Sequence, residues 1–175
     1  MNALENQSQV TAAILDEDKL YQYHERLRLE QNLPMALVGG FIAAIIGASL
    51  WAIITIATGF QIGFMAVGVG FVVGYTVRYF GKGIDKIFGI VGAILALAGC
   101  LLGNFLTLLG IAADQEGFGY IEILQIVDYS LVPAVMIESF SPMDLLFYGI
   151  AIYEGYRFSF RHVADEDLIT NASKS

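Results

Sequence analysis

The chain alternates between long uncharged apolar runs and short charged segments. Residues 31–77 contain no charged side chain, and neither do residues 87–113. At 1.5 Å per residue the first run would form roughly 70 Å of helix, about twice the thickness of a bilayer's hydrocarbon core. It must therefore fold back once, and residues 59–63, with a glycine at each end, are the natural turn. This pattern predicts three transmembrane helices, at residues 34–58, 62–79 and 87–112.

A fourth apolar segment carries a signal for the start of a helix. Ser141 can cap the helix, and Pro142 suits the first helical position because its missing N–H needs no partner there. Residues 142–160 would extend roughly 28 Å as a helix. We expect this segment to span the membrane, with Glu154 pairing with Arg157 near the far interface.

Residues 117–140 resemble neither a simple loop nor a clean membrane span. Glu122, Asp128 and Glu138 interrupt an otherwise apolar pattern, which predicts an interfacial helix on the outer side of the membrane. An acidic vestibule that attracts cations is the functional alternative. A five-span chain is also open, in which residues 120–140 cross the membrane with Asp128 in the middle.

The two ends of the chain are polar. Residues 1–32 mix charged and apolar positions, which predicts an amphipathic helix, and they lack the apolar core of a signal peptide. Residues 162–175 are expected to form a flexible acidic tail. The predicted organisation is therefore an N-terminal segment (1–32), a transmembrane domain (33–161) and a tail (162–175), all of it α-helical where it is ordered.

Charge orients these helices. The chain has 9 basic and 17 acidic residues. With four spans, every basic residue falls on one side of the membrane, whereas three or five spans would put several on the other side. The positive-inside rule then predicts a multi-pass protein of the inner (plasma) membrane with both termini in the cytoplasm. The basic residues are Lys19, Arg26, Arg28, Arg78, Lys82, Lys86, Arg157, Arg161 and Lys174.

Composition agrees with a membrane protein, since 57% of the residues are hydrophobic, 15% are charged and the mean hydropathy is +0.65. The lipid bilayer is therefore an expected partner, and nucleic acid is not, because there is no basic surface. No nucleophile with a base, phosphate-binding loop or paired carboxylates can be found. The single cysteine (Cys100) and the two histidines (His24 and His162) do not form a metal site. We predict no catalytic residue, no cofactor and no metal.

Small residues recur along the predicted spans, and the chain has 19 glycines. Helices associate in lipid by close backbone approach through small residues, because lipid offers no hydrophobic driving force. The first span carries two adjacent rows of small residues, which is more than one neighbouring helix needs. A homo-oligomer is therefore expected; packing within one chain is the alternative. The predicted packing positions are Gly40, Ala44, Gly47, Gly70, Gly74, Gly89, Gly99 and Gly103.

Polar residues within the spans are few and mild. For Asn104 we favour a hydrogen bond between helices over a role as substrate ligand, because an amide in lipid must find a partner. For Glu154 we favour the pair with Arg157 over a cation site. The candidates for a pore or for interhelical contacts are Ser49, Thr55, Asn104, Tyr148 and Glu154.

Two stretches carry a resemblance to known proteins. They are QIGFMAVGVGFVVG at residues 61–74 and SPMDLLFYGIAIYEGYR at residues 141–157. Over residues 34–161 the chain resembles a family of small, uncharacterised bacterial membrane proteins with about four helices. The resemblance implies a multi-pass fold and a bacterial source, and it implies no activity.

These observations favour a tightly packed, non-enzymatic four-helix membrane module that forms oligomers or binds a cytoplasmic or periplasmic protein. The alternative is a small channel or carrier for ions or small solutes, with a path lined by residues such as Asn104 and Tyr148. A sealed interior is expected of the first, and flux across a membrane of the second.

Overall fold

The computed structural model describes residues 21–59 and 63–161, and this part of the chain is helical throughout, with no strand. Residues 21–29 are helical and lead into six further helices. These are α1 (Leu33–Thr58), α2 (Phe64–Gly81), α3 (Lys86–Glu116), α4 (Tyr120–Ile126), α5 (Val132–Glu138) and α6 (Pro142–Phe158). The predictions for residues 1–20 and for the tail at 162–175 lie outside the described residues.

The ends of the long helices follow local chemistry. Asn32 caps α1, where its side chain accepts a hydrogen bond from the Met35 N–H at 3.0 Å. Gly59 and Gly117 end α1 and α3 in the left-handed conformation, with φ of 68° and 71°. Helix α3 runs four residues beyond the predicted end at residue 112, because a helix can continue past the last apolar position until a residue such as Gly117 stops it.

Helices α1, α2 and α3 are each long and apolar enough to cross a membrane. Helix α6 has 17 residues and reaches that standard only when it is taken together with α5, to which it is bent by 104°. The described residues therefore contain three such helices, or four if the bent pair is one span.

The bend between α5 and α6 follows from a strong helix start. The Ser141 hydroxyl accepts from the Met143 N–H at 3.2 Å, and the Asp144 carboxylate accepts from the Ser141 N–H at 2.8 Å. This reciprocal capping, with Pro142 at the first helical position, begins a new helix rather than extending α5.

The long helices form an antiparallel bundle with α2 and α3 at its centre. Both α2 and α3 pack against α1 on one side and α6 on the other. Gly39 lies against Phe80 and Gly47 against Val69, so α1 and α2 run in opposite directions. Helix α6 runs parallel to α2 and antiparallel to α3.

Close backbone approach holds this bundle together. A Cβ at Gly70 on α2 would lie 2.5 Å from the Ala151 carbonyl oxygen on α6. A Cβ at Gly155 on α6 would lie 2.6 Å from the Gly92 carbonyl oxygen on α3. Any side chain at these glycines would force the helices apart, so the glycines set the helix separation.

Both small rows of α1 are used within the chain. Ala44 lies beside Gly99 of α3, whereas Gly39 and Gly47 lie beside α2. The two rows that favoured a second copy of the chain therefore each have a neighbour in the same bundle. Of the predicted packing positions, Gly47 is half-buried and the others are buried, namely Gly40, Ala44, Gly70, Gly74, Gly89, Gly99 and Gly103.

The two ends of the bundle differ in charge. At one, here called the basic end, residues 28–32, the α2–α3 turn and Arg161 meet. Arg28 pairs with Asp85 at 3.2 Å, and Arg161 pairs with Glu30 at 2.7 Å. At the opposite, acidic end, α3 finishes, α4 and α5 lie and α6 begins. The acidic end holds Asp114, Glu116, Glu122, Asp128, Glu138 and Asp144.

Helix α4 covers the acidic end of α3. Ile123 is buried against Leu109 and Ala113, forming a small core separate from the main one. The Tyr120 hydroxyl donates to the Leu106 carbonyl oxygen at 2.7 Å. Apolar side chains nevertheless remain exposed on both short helices, including Ile121 and Ile137.

Candidate functional site

Three of the predicted polar residues are buried in the interior, towards the acidic end. Thr55, Asn104 and Tyr148 come from α1, α3 and α6 and are at most 5% exposed. Trp51, which is 1% exposed, lies one helical turn from Thr55, and its ring meets that of Tyr148 edge to face with the centroids 6.4 Å apart. We call these four residues the interior polar cluster.

Tyr148 is the centre of this cluster. Its hydroxyl donates to the Cys100 carbonyl oxygen at 3.3 Å, a hydrogen bond that joins α6 to α3. The Asn104 side chain of α3 interacts with Tyr148 as well, so Asn104 has a partner on another helix. A buried amide would otherwise be costly.

Two polar atoms of the cluster have no hydrogen-bond partner among the residues that the structure describes. They are the indole nitrogen of Trp51 and the hydroxyl oxygen of Thr55, both buried. An unsatisfied buried group costs about 1–3 kcal/mol, so such groups need an explanation in a stable protein.

The interior polar cluster was only partly predictable. Asn104 and Tyr148 stand out as polar side chains in apolar runs, whereas the lone tryptophan gave no signal of its role. Asp144, in the first turn of α6, is 7% exposed. Its burial depends on tertiary packing, which local sequence does not reveal.

Glu154 lies apart from the cluster, on the side of α6 that faces α2. A Cβ at Gly74 would lie 3.0 Å from the Glu154 carbonyl oxygen. One carboxylate oxygen of Glu154 is buried and has no hydrogen-bond partner in the described part of the chain. A carboxyl group in such a place is a candidate site for a cation or a proton.

The predicted Glu154–Arg157 pair is absent from the described residues. Arg157 donates instead to the Tyr153 hydroxyl at 3.3 Å and lies 5.9 Å from the centre of that ring. The four-residue spacing puts Arg157 and Tyr153 on one exposed face of α6, whereas Glu154 faces α2. The expectation of a neutralising pair was therefore wrong.

Ser49 does not join the interior. Its hydroxyl donates to the Ile45 carbonyl oxygen of its own helix at 2.8 Å, and the residue is partly exposed. Such a bond within one helix satisfies a hydroxyl in lipid without a neighbouring helix.

Glu122 and Asp128, at the acidic end, accept hydrogen bonds from residues that are close to them in the sequence. Glu122 accepts from the Gly119 N–H at 2.9 Å at the start of α4. Asp128 accepts from the Ser130 hydroxyl at 2.6 Å and from its N–H, and these bonds lower the pKa of Asp128. Glu138 is exposed at the end of α5. Within the described ranges, no three acidic, histidine or cysteine side chains converge as a metal site would require.

Comparison with family models, curated proteins and solved structures returned no match to this chain. Its function must therefore be inferred from its own helices and polar contacts. Those contacts are mainly structural. They are the close backbone approach at glycines, the interhelical interaction of Tyr148 with Asn104, and the side-chain ion pairs at the basic end.

Proposed function

We propose that the protein is a non-enzymatic multi-pass module of a bacterial inner membrane, built as a tightly packed bundle of four crossing helices. The observation that carries the proposal is the backbone contact of α6 with both α2 and α3, at Gly70 and Gly155. Helices in such contact leave no room for a wide aqueous path between them. A structural or partner-binding role fits a sealed interior best.

The fourth crossing is supported by the course of α6. Phe147 lies against Gly63 at the start of α2, and Phe158 lies against Gly74, nearer its end. Helix α6 therefore runs alongside α2, which is itself long and apolar enough to span. Two parallel helices of 17 and 18 residues cross a similar depth of membrane.

Charge supports an orientation with the basic end in the cytoplasm. Of the described residues at that end, Arg28, Arg78, Lys82, Lys86 and Arg161 are basic, whereas the acidic end has no described lysine or arginine. The positive-inside rule then places both termini inside. In this orientation α4 and α5 lie at the outer interface, where their exposed apolar side chains contact lipid.

The helical segment at residues 21–29 acts in this scheme as a cytoplasmic amphipathic helix. Leu27 is buried at 3% exposure, whereas Leu29 is 83% exposed. The Arg28–Asp85 ion pair and Gln31 fasten this part of the chain to the α2–α3 turn, and the Glu30–Arg161 ion pair fastens it to the residues that follow α6. The exposed face of the segment remains available to a cytoplasmic protein partner.

A second copy of the chain would have to use the outer surface of the bundle, because the small rows of α1 are already occupied. An apolar groove of about 410 Å³ lies there between α1 and α2. Met35, Ile42 and Phe80 are among its lining residues. A homo-oligomer through this groove remains part of the proposal, as does contact with a different membrane helix.

A small channel or carrier is the second candidate, and the interior polar cluster favours it. Unpartnered atoms of Trp51 and Thr55 could bind a small polar solute near the acidic end, and Glu154 offers a carboxyl group nearer the basic end. For transport, a path would have to join the two sites through the contacts at Gly70 and Gly155.

Purified protein in liposomes separates these candidates. We expect no flux of water, protons or common monovalent ions above empty liposomes, together with a single defined mass in mild detergent. Flux that falls in Asn104→Leu or Glu154→Gln, but not in Ser49→Ala, would overturn the sealed-module proposal. Ser49→Ala is the matched control because the Ser49 hydroxyl bonds only within its own helix.

A further inference from the structure

The last two turns of α2 place two tyrosines and two cations on one face. Tyr75, Arg78, Tyr79 and Lys82 recur at spacings of three and four residues, so they share one side of the helix. Arg161, which follows α6, joins them. Together the five side chains line a cavity of about 240 Å³ at the basic end.

The cations of this cavity are only partly neutralised. Arg161 pairs with Glu30 at 2.7 Å, and both Arg161 and Lys82 help to lower the pKa of that carboxyl. Arg78 and Lys82 form no ion pair with any residue in the described part of the chain. Of the three cations, only Arg161 has an ion-pair partner among the described residues, so the cavity retains positive charge and is suited to an anion.

Lys82 occupies a backbone position that favours glycine. Its φ of 47° is the only positive value at a residue other than glycine within the described ranges. Its N–H donates to the Arg78 carbonyl oxygen at 2.9 Å and closes α2. Unfavourable backbone positions tend to be retained where a side chain serves a ligand site.

We propose that this cavity binds the phosphate group of an anionic phospholipid. The planar guanidinium groups of Arg78 and Arg161 match phosphate oxygens, and Lys82 adds a third positive charge. Basic pockets between transmembrane helices are suited to acidic headgroups. Free phosphate has the same chemistry, but Tyr75 and Tyr79 are 52% and 69% exposed, and exposed tyrosines at a helix end suit headgroup depth.

The proposal rests on the membrane-spanning arrangement above, because only a crossing α2 puts its last turns among lipid headgroups. The test uses the full chain in mild detergent. Its thermal midpoint is followed while phosphatidylglycerol, phosphatidylcholine or inorganic phosphate is added. We expect phosphatidylglycerol alone to raise the midpoint in a saturable way.

Charge removal should map the response onto the cavity. Arg78→Gln and Arg161→Gln should each weaken the apparent affinity for phosphatidylglycerol about tenfold or more, since each removes a charge-assisted hydrogen bond. Lys86→Gln is the matched control, because Lys86 is basic, exposed and at the same end but does not line the cavity. The affinity of Lys86→Gln for phosphatidylglycerol should equal that of the wild type.

The Lys82→Gly variant distinguishes a loss of lipid binding from a loss of folding. Glycine fits the left-handed position without strain, so this variant should be at least as stable as the wild type without lipid and should respond less to phosphatidylglycerol. A full response in Lys82→Gly, or an equal loss in Lys86→Gln and Arg78→Gln, would overturn the site. An equal response to inorganic phosphate would overturn the lipid assignment.

Failure here is distinguishable from failure of the membrane arrangement. The arrangement is tested separately by cysteine labelling in cells, which does not depend on lipid class. Correct labelling with no selective response to phosphatidylglycerol would overturn only the headgroup site.

Discussion

Gly92 on α3 and Gly155 on α6 touch through their backbones. A Cβ added to Gly155 would lie 2.6 Å from the Gly92 carbonyl oxygen and 2.7 Å from the Ala96 Cβ. Real side chains do not approach backbone that closely, so one of the helices would have to move. This contact holds the fourth long helix against the centre of the bundle.

Gly155→Ala should therefore destabilise the protein. Overpacking a well-packed site costs about 1–3 kcal/mol, which corresponds to a fall of roughly 2–12 °C in the thermal midpoint of a chain of this size. Gly149→Ala is the matched control on the same helix, because a Cβ there meets nothing within 4 Å. Its midpoint should stay level or rise, since alanine favours helix. Equal effects of the two substitutions would show that α6 does not pack as described.

The interaction of Tyr148 with Asn104 should appear as a coupling energy between α6 and α3. In a double-mutant cycle of Tyr148→Phe and Asn104→Leu, we expect the two free-energy changes to be non-additive by about 0.5–1.7 kcal/mol, the range of interhelical hydrogen bonds in membranes. Phenylalanine retains a ring against Trp51, so packing is largely preserved. Additive effects would mean that the interaction between the two side chains contributes nothing to the free energy of unfolding.

The ion pair between Glu30 and Arg161 should make stability depend on pH. Arg161 holds the pKa of Glu30 below its ordinary value of 4.5. The stabilisation is therefore present above pH 4.5 and is lost as the pH falls through the lowered pKa. The thermal midpoints of wild type and Glu30→Gln should differ at neutral pH and converge in acid. A difference that is the same at every pH would exclude the ion pair as its cause.

Gln31 should protect the α2–α3 turn from solvent. Its amide oxygen accepts from the N–H groups of Ile84 and Asp85, at 3.1 and 3.2 Å, and its nitrogen donates to the Asp85 carboxylate at 3.0 Å. In Gln31→Ala both backbone amides lose their acceptor, so their hydrogen exchange should accelerate. Amides in the middle of α3, such as that of Ala96, serve as the internal control and should not change. Unchanged exchange at Ile84 would show that the turn is held by other contacts.

Long runs without charged residues made the positions of the long helices predictable. The same criterion also caused the errors in the predicted helix ends. A run without charges marks the part of a helix that lies in lipid, so α1 and α2 were placed to within two residues at most of their ends. Helix α3 continues to Glu116 because polar residues such as Gln115 and Glu116 are good helix formers outside lipid. Hydropathy does not predict that polar continuation of the helix.

Packing partners were less predictable than helices. The sequence reveals the two rows of small residues on α1 but not their neighbours, because sequence spacing gives the face of a helix and not what covers it. The same limit applies to Glu154, whose spacing allowed a pair with Arg157, although Glu154 lies on the side of α6 that faces α2 and Arg157 on an exposed face. Trp51 joined the interior polar cluster only because its ring reaches that of Tyr148 across the bundle.

The most direct test of the four-span arrangement is the sidedness of single cysteines in intact cells. With Cys100 replaced by alanine, Lys86→Cys, Ser130→Cys and Ser175→Cys are each labelled with a membrane-impermeant maleimide before and after the membrane is opened. We predict that Ser130→Cys reacts from outside, whereas Lys86→Cys and Ser175→Cys react only after the membrane is opened. Labelling of Ser175→Cys from the same side as Ser130→Cys would contradict it, because α6 would then not cross the membrane.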